Sequence, residues 1–248
     1  MNKEEQLKRA KSLSITFLHI PIATTEYSPI VVKHPYFESA FLYDYDSKTM
    51  FNALENTEKY NEFLYTYAKK IIEPCKSIKE LLTLICKPYR VTYLSFLMKE
   101  KIITKKECGN LLAAHWTLIE NLSVDANVRK VTILSWIKAA DKEVLMNESE
   151  LRKYNSFPDV LTIYRGCRTE KAVKGMSWTL SKSKARWFAG RYSQDGGVTF
   201  RAHIRKEDTI CYLAGRGEAE VVVDYRKLYD IEQIYHLTLY VHYAIIYI

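Results

Sequence analysis

The sequence predicts an α+β fold: a mainly helical N-terminal region, residues 1–157, precedes a compact, mostly β region, residues 158–248. Three observations carry this. Between about residues 48 and 153, apolar side chains recur at spacings of three and four. Beyond Pro158 they gather instead in short β-branched and aromatic runs separated by Gly or charged turns. Pro158 marks the change, and the short linker around it implies that the two halves dock tightly.

Residues 1–45 are mixed, and the apolar runs 15–22 and 30–32, bounded by Pro21, Pro29 and Pro35, predict short extended pieces. Tyr60, Phe63, Leu64, Tyr67, Ala68 and Ile71 then form the stripe of an amphipathic helix that Pro74 ends. Ser77 opens the next helix, with Glu80 three residues on as a capping box, and Pro88 closes it. Further helices are expected over 92–99, 104–121 and 128–140, with Thr104 and Glu107 as a second box. In the β half, strands are expected over 160–164, 177–180, 198–204, 209–213, 220–223 and 235–247. One helix interrupts them, KARWFAGRY, with Ser181 and Ser183 as candidate N-caps and Gly190 near its end.

With 248 residues, 48% of them hydrophobic, the chain has enough apolar material for one large core or two modest ones. A net charge of +8 and a pI near 9.0 favour an anionic partner: nucleic acid, a phosphorylated small molecule or an acidic protein surface. The basic residues are spread along the chain without a long run, which is also the pattern of an ordinary solvated surface. The five cysteines form no Cys-x-x-Cys and no Cys/His cluster, so no metal is expected, and their odd number suits a reducing compartment. The polar N-terminus lacks the apolar centre of a signal peptide. The apolar C-terminal stretch is broken by His236, His242 and several Tyr. The expectation is therefore a cytoplasmic protein with no membrane partner.

Three polar features stand on successive strands of the β half. Arg165 ends its strand beside Gly166, an arrangement that suits a bound phosphate or carboxylate, or a guanidinium capping the sheet. Ser177-Trp178-Thr179 alternates, so both hydroxyls share one face and Trp178 takes the other. Glu218-Ala219-Glu220 stands at the mouth of a valine run, and strand periodicity places both acids on one face. Such a pair sits either in water at a frayed strand start or in a site whose chemistry uses it. His203, His236, His242 and His115-Trp116 read as structural, and Trp187 and Phe188 as core residues of their helix.

The order Tyr-Arg-Gly, Ser-x-Thr, Glu-x-Glu followed by valines resembles the Arg–Ser–Glu, toxin-like class of mono-ADP-ribosyltransferases. The stretch GMSWTLSKSKARWFAGR is similar to phage and bacterial proteins expected to share that fold. The likeness covers about residues 158–232, and the middle motif departs from the usual Ser-Thr-Ser. It implies a split β-sandwich as an NAD-binding catalytic domain, with NAD as substrate. Arg165, Gly166, Ser177, Thr179 and Arg191 would lie at the cofactor, Arg191 with Gly196-Gly197 in the loop after the helix. Ser177 would orient the catalytic carboxylate, Glu220 would stabilise the oxocarbenium-like state, and Glu218 would meet an arginine-like acceptor. The segment 214–217 would recognise the target, a protein or, as a second class, nucleic acid. An NAD glycohydrolase with the same site and a catalytically silent binding module are the alternatives.

Overall fold

The computed structural model describes residues 1–118, 127–191 and 197–234, and the chain forms two compact units, Met1–Val144 and Leu145–Ile248. The first unit opens with α1 (Lys3–Leu18), capped by the Asn2 side chain, which accepts the Glu5 amide. Residues 15–18 therefore end a helix and are not extended as expected. Ala10, Ser14, Phe17 and Leu18 are buried at helical spacing, whereas the first two turns are polar and hide the stripe from a sequence reading. Two antiparallel hairpins follow, β1 (Ala23–Thr25) with β2 (Ser28–Lys33), and β3 (Phe41–Asp44) with β4 (Thr49–Asn52). Next come α2 (Thr57–Tyr67), prolonged by a π-helical turn, α3 (Ile78–Leu84) capped by Ser77, and α4 (Arg90–Lys99). The unit then builds α5 (Lys105–His115), where the Thr104–Glu107 capping box is complete, α6 (Lys130–Ile137) and the start of the short α7 (Lys142–Leu145). Residues 119–121 of the expected 104–121 helix lie outside the described residues. Tyr93 anchors the core: its hydroxyl lies 2.6 Å from Ser14 Oγ, and Phe17 meets its ring edge-on at 5.2 Å.

The second unit contains α8 (Glu148–Asn155), β5 (Val160–Cys167), β6 (Ser177–Thr179), α9 (Lys182–Gly190), β7 (Val198–Arg205), β8 (Thr209–Leu213), β9 (Glu220–Val223) and β10 (Tyr229–Ile234). All six strands form one antiparallel sheet in the order β10-β7-β5-β6-β9-β8, so the fold is α+β. The unit starts ahead of Pro158 because α8 packs on β8. Tyr154 donates to the Thr209 carbonyl at 3.2 Å, and Phe157 meets Tyr212 edge-on at 5.5 Å. Along β5 the alternation is clear: Leu161 and Ile163 are buried while Val160 and Thr162 face solvent. Val221, Val222 and Val223 are buried together, which marks β9 as an inner strand covered on both faces. β10 was not foreseen, and the strand expected over 235–247 lies outside the described residues.

His34 gives the first unit a pH dependence. Its ring stacks on Phe37 at 4.6 Å, Nδ1 accepts the Tyr36 amide at 3.1 Å, and Nε2 lies 3.3 Å from the Leu18 carbonyl. These partners require the neutral ring with its hydrogen on Nε2. Burial depresses its pKa to about 4 from 6.5, against the opposing pull of the Leu18 and Ile20 carbonyls. An unfolded chain thus takes up a proton near pH 6.5 that the folded one refuses until about pH 4. The stabilising contribution is complete above pH 6.5 and declines as pH falls towards 4, by on the order of 3 kcal/mol in all. Urea denaturation at several pH values should show this loss in the wild type and a flatter profile over that window in His34→Gln. Parallel profiles would exclude His34 as the source.

Candidate active site on strands β5, β6 and β9

Register gathers the hydroxyl residues and one acid. Tyr164 of β5 lies opposite Thr179 of β6, Thr179 lies opposite Glu220 of β9, and Ser177 lies opposite Val222. Residues directly opposite in an antiparallel pair share a face, so Ser177, Thr179 and Glu220 look the same way. Leu213 flanks Glu220 from β8. Trp178 points to the other face, is buried, and donates from Nε1 to the Gly175 carbonyl at 3.0 Å.

Arg165 reaches this group through the backbone. The Met176 carbonyl and Leu180 amide bond the β9 side, which leaves the Ser177 carbonyl on the β5 side. Arg165 Nη1 donates to that carbonyl, and Nε donates to the Ala172 carbonyl at 3.1 Å. The guanidinium thus holds β6 where its pairing with β5 ends after Tyr164–Thr179. Gly175 makes room for it, since a Cβ there would lie 2.3 Å from the guanidinium carbon. At Gly166 a Cβ would stand 1.9 Å from the Ala185 carbonyl, so the close approach this glycine permits is that of α9.

The acid pair departs from the sequence expectation. Strand β9 begins at Glu220, Glu218 closes the short helical turn Gly215–Gly217 in αR conformation, and Ala219 has φ +46°. Strand periodicity therefore does not govern Glu218, and the two acids do not share a strand face. The left-handed Ala219 costs an L residue about 1 kcal/mol, and the surrounding bonds hold it there. Thr179 Oγ1 donates to the Glu218 carbonyl at 2.6 Å, and the Leu180 amide donates to the Ala219 carbonyl at 3.0 Å. The same Thr179 oxygen accepts the Ser181 amide at 3.0 Å, just where the Ser181 side chain caps α9.

Glu150 of α8 is a residue that the sequence reading passed over. It is buried, one carboxylate oxygen accepts the Ala214 amide at 2.7 Å, and the other accepts the Asn147 amide at 2.9 Å. Its sequence signal was Asn147-x-x-Glu150, a capping box that the structure completes. The carboxylates of Glu220 and Glu150 both bear on Cys211, whose thiol is pushed well above its ordinary pKa first by burial and then by these two charges. Arg191 ends α9 exposed, with its guanidinium 5.2 Å from the Trp187 ring. Trp187 is 53% exposed and Phe188 half-buried, so neither is the core residue expected; Ala185 and Ala189 form the inner stripe instead. Gly197 is fitted between the Cys167 and Ala189 carbonyls, and Gly196 lies outside the described residues. His203 stands on β7 with Nδ1 3.5 Å from an Asp230 carboxylate oxygen.

Among the described residues there is no group of three His, Cys, Asp or Glu able to hold a metal, and no helix is long and apolar enough to cross a membrane. Comparison of the chain with protein-family models, curated proteins and solved structures yields no match.

Glu150 should hold the turn that leads to Glu218. Glu150→Ala leaves the Ala214 and Asn147 amides without their carboxylate acceptor, and a loss of about 1 kcal/mol is expected for these part-buried bonds. Glu150→Gln keeps only one acceptor oxygen for two amides, so its loss should be smaller but measurable. Chemical denaturation of the whole chain measures both, and a Glu150→Ala variant as stable as wild type removes the clamp.

Proposed function

We propose that the unit spanning residues 145–248 is an ADP-ribosyltransferase-like catalytic domain. It transfers ADP-ribose from NAD to an arginine-like acceptor on a macromolecule. The observation that carries this reading is that Ser177 and Glu220 share one face of the sheet while Arg165, on the neighbouring strand and turned to the Trp178 face, bonds the Ser177 carbonyl, although 55 positions separate Arg165 from Glu220.

In the reaction the bond from nicotinamide to ribose C1′ breaks and its electron pair leaves with nicotinamide. Positive charge develops on the ribose, and a fixed Glu220 carboxylate stabilises it electrostatically. The guanidine nitrogen of the acceptor then forms the new bond to C1′ and gives its proton to Glu218. Placement on a turn, half-exposed, suits Glu218 for meeting an acceptor that arrives from solvent. Arg165 donates to the Ala172 and Ser177 carbonyls and bonds the Cys167 sulfur, and of its five N–H groups the remainder would meet the NAD phosphates. Ser177, half-buried on the Glu220 face, orients that carboxylate, and Thr179 acts through the turn that it ties down.

Nicotinamide release from NAD, measured with and without agmatine as a small guanidine, tests these roles. Glu220→Gln should lower both hydrolysis and transfer by about a hundredfold or more while the protein stays folded. Turnover within a few-fold of wild type would sink the assignment. Glu218→Gln should lose agmatine modification and keep slow hydrolysis; equal loss of both would mean that the acids act as one unit.

A further inference from the structure

The positive charge of this protein is concentrated. Residues 165–191 hold eight Lys and Arg against a single acid, Glu170, while the other 29 basic and 28 acidic residues nearly cancel. Half of these cations, Lys182, Lys184, Arg186 and Arg191, stand on α9 and its C-cap, a helix that carries no acid at all. Its inner stripe, Ala185 and Ala189, lies against the sheet, and Lys182 and Arg186 stand exposed. Between them and the helix end, Trp187 is 53% exposed, with Lys184 Nζ 5.3 Å and Arg191 Cζ 5.2 Å from its ring centre. The backbones of Cys167, Ala189 and Gly197 meet, which brings exposed Arg168 to the end of α9 where Arg191 stands.

One exposed aromatic residue by itself is ordinary. An exposed indole ringed by cations on a helix without acids combines the two elements that bind unpaired nucleotides: a flat stacking surface and charges for the phosphates. We propose that the outer face of α9 binds single-stranded nucleic acid, with a base stacked on Trp187 and the backbone met by Lys182, Arg186 and Arg168. Base stacking on an indole is stronger than an exposed cation–π contact, so a base displaces a cation from the ring. The displaced ammonium or guanidinium then meets a phosphate. A duplex keeps its bases stacked internally and offers no face to the indole. A lipid surface needs a broader apolar face than one tryptophan provides, because Phe188 is half-buried.

The full-length protein, with no NAD present, is titrated with fluorescein-labelled dT and rU oligonucleotides, the same sequence as duplex, and vesicles containing phosphatidylserine. Trp116, Trp136 and Trp178 are buried, so quenching of the exposed-indole emission reports on Trp187. Single strands should bind more tightly than duplex or vesicles and should quench that emission. Trp187→Ala should weaken binding about tenfold or more, with Trp187→Phe close to wild type. Lys182→Gln with Arg186→Gln should reduce the slope of log affinity against log salt by about 1.4. Circular dichroism checks that each variant is folded. Equal binding by Trp187→Ala, tighter binding to duplex, or vesicle binding without oligonucleotide binding would each overturn the proposal. Because NAD is absent, the outcome is independent of whether the protein transfers ADP-ribose.

Discussion

The hydrogen bond from Thr179 to the Glu218 carbonyl is the constraint on which the candidate site depends. It joins the end of β6 to the turn before β9, and with the Leu180–Ala219 bond it holds Ala219 in a left-handed conformation that an alanine does not choose. That conformation separates the two acids: Glu220 enters the sheet opposite Thr179, while Glu218 remains on the turn. Glu150 fixes the other end of the same turn through the Ala214 amide. A buried Thr hydroxyl that both donates and accepts has little freedom left, so it ties the turn, the strand mouth and the start of α9 together.

The same economy of space governs the sheet around Arg165. Gly175 lets the chain pass against the guanidinium, and Gly166 and Gly197 let α9 and the sheet touch backbone to backbone. With α9 drawn this close by two alanines, its larger side chains have nowhere to go but outward. The exposed Trp187 is therefore a consequence of how tightly the helix sits as well as a surface in its own right. The carboxylates beside Cys211 and the cations of residues 165–191 give this unit both signs of charge, the acids at the strand mouth and the bases on the helix. An anionic ligand is drawn to such a surface by its long-range field and placed by local hydrogen bonds.

Much of this organisation was legible from residues alone. Period-two and three-to-four spacing depend on nearest neighbours in the chain, so β5 to β9, α9 and the capping box of α5 could be read directly. That Arg165, Ser177 and Glu220 belong to one site could be expected only from the order of three short motifs; register then put Ser177 and Glu220 on one face and Arg165 on the other, tied to the Ser177 carbonyl. Helix α1 escaped because its polar first turns leave too few apolar positions to show a stripe until a core presses against it. The charge excess of residues 165–191 forms no basic run, because it arises from missing acids and not from clustered Lys and Arg.

What the sequence by itself determined is the alternation and the chemistry: the course of strands β5 to β9 and of α9, and that hydroxyls, a guanidinium and the Glu220 carboxylate lie on three of those strands. Only the tertiary structure decided where each of them faces. Glu218 left the strand because Thr179, 39 residues away, captured its carbonyl. Arg165 turned to the Ser177 backbone because Gly175 opened the space. Trp187 was expelled from the core because Ala185 and Ala189 had already filled the contact with the sheet. The physical reason is common to all three. Local propensity is set by a residue and its immediate neighbours, whereas hydrogen-bond satisfaction and steric fit are settled by partners distant in sequence that only folding brings within reach.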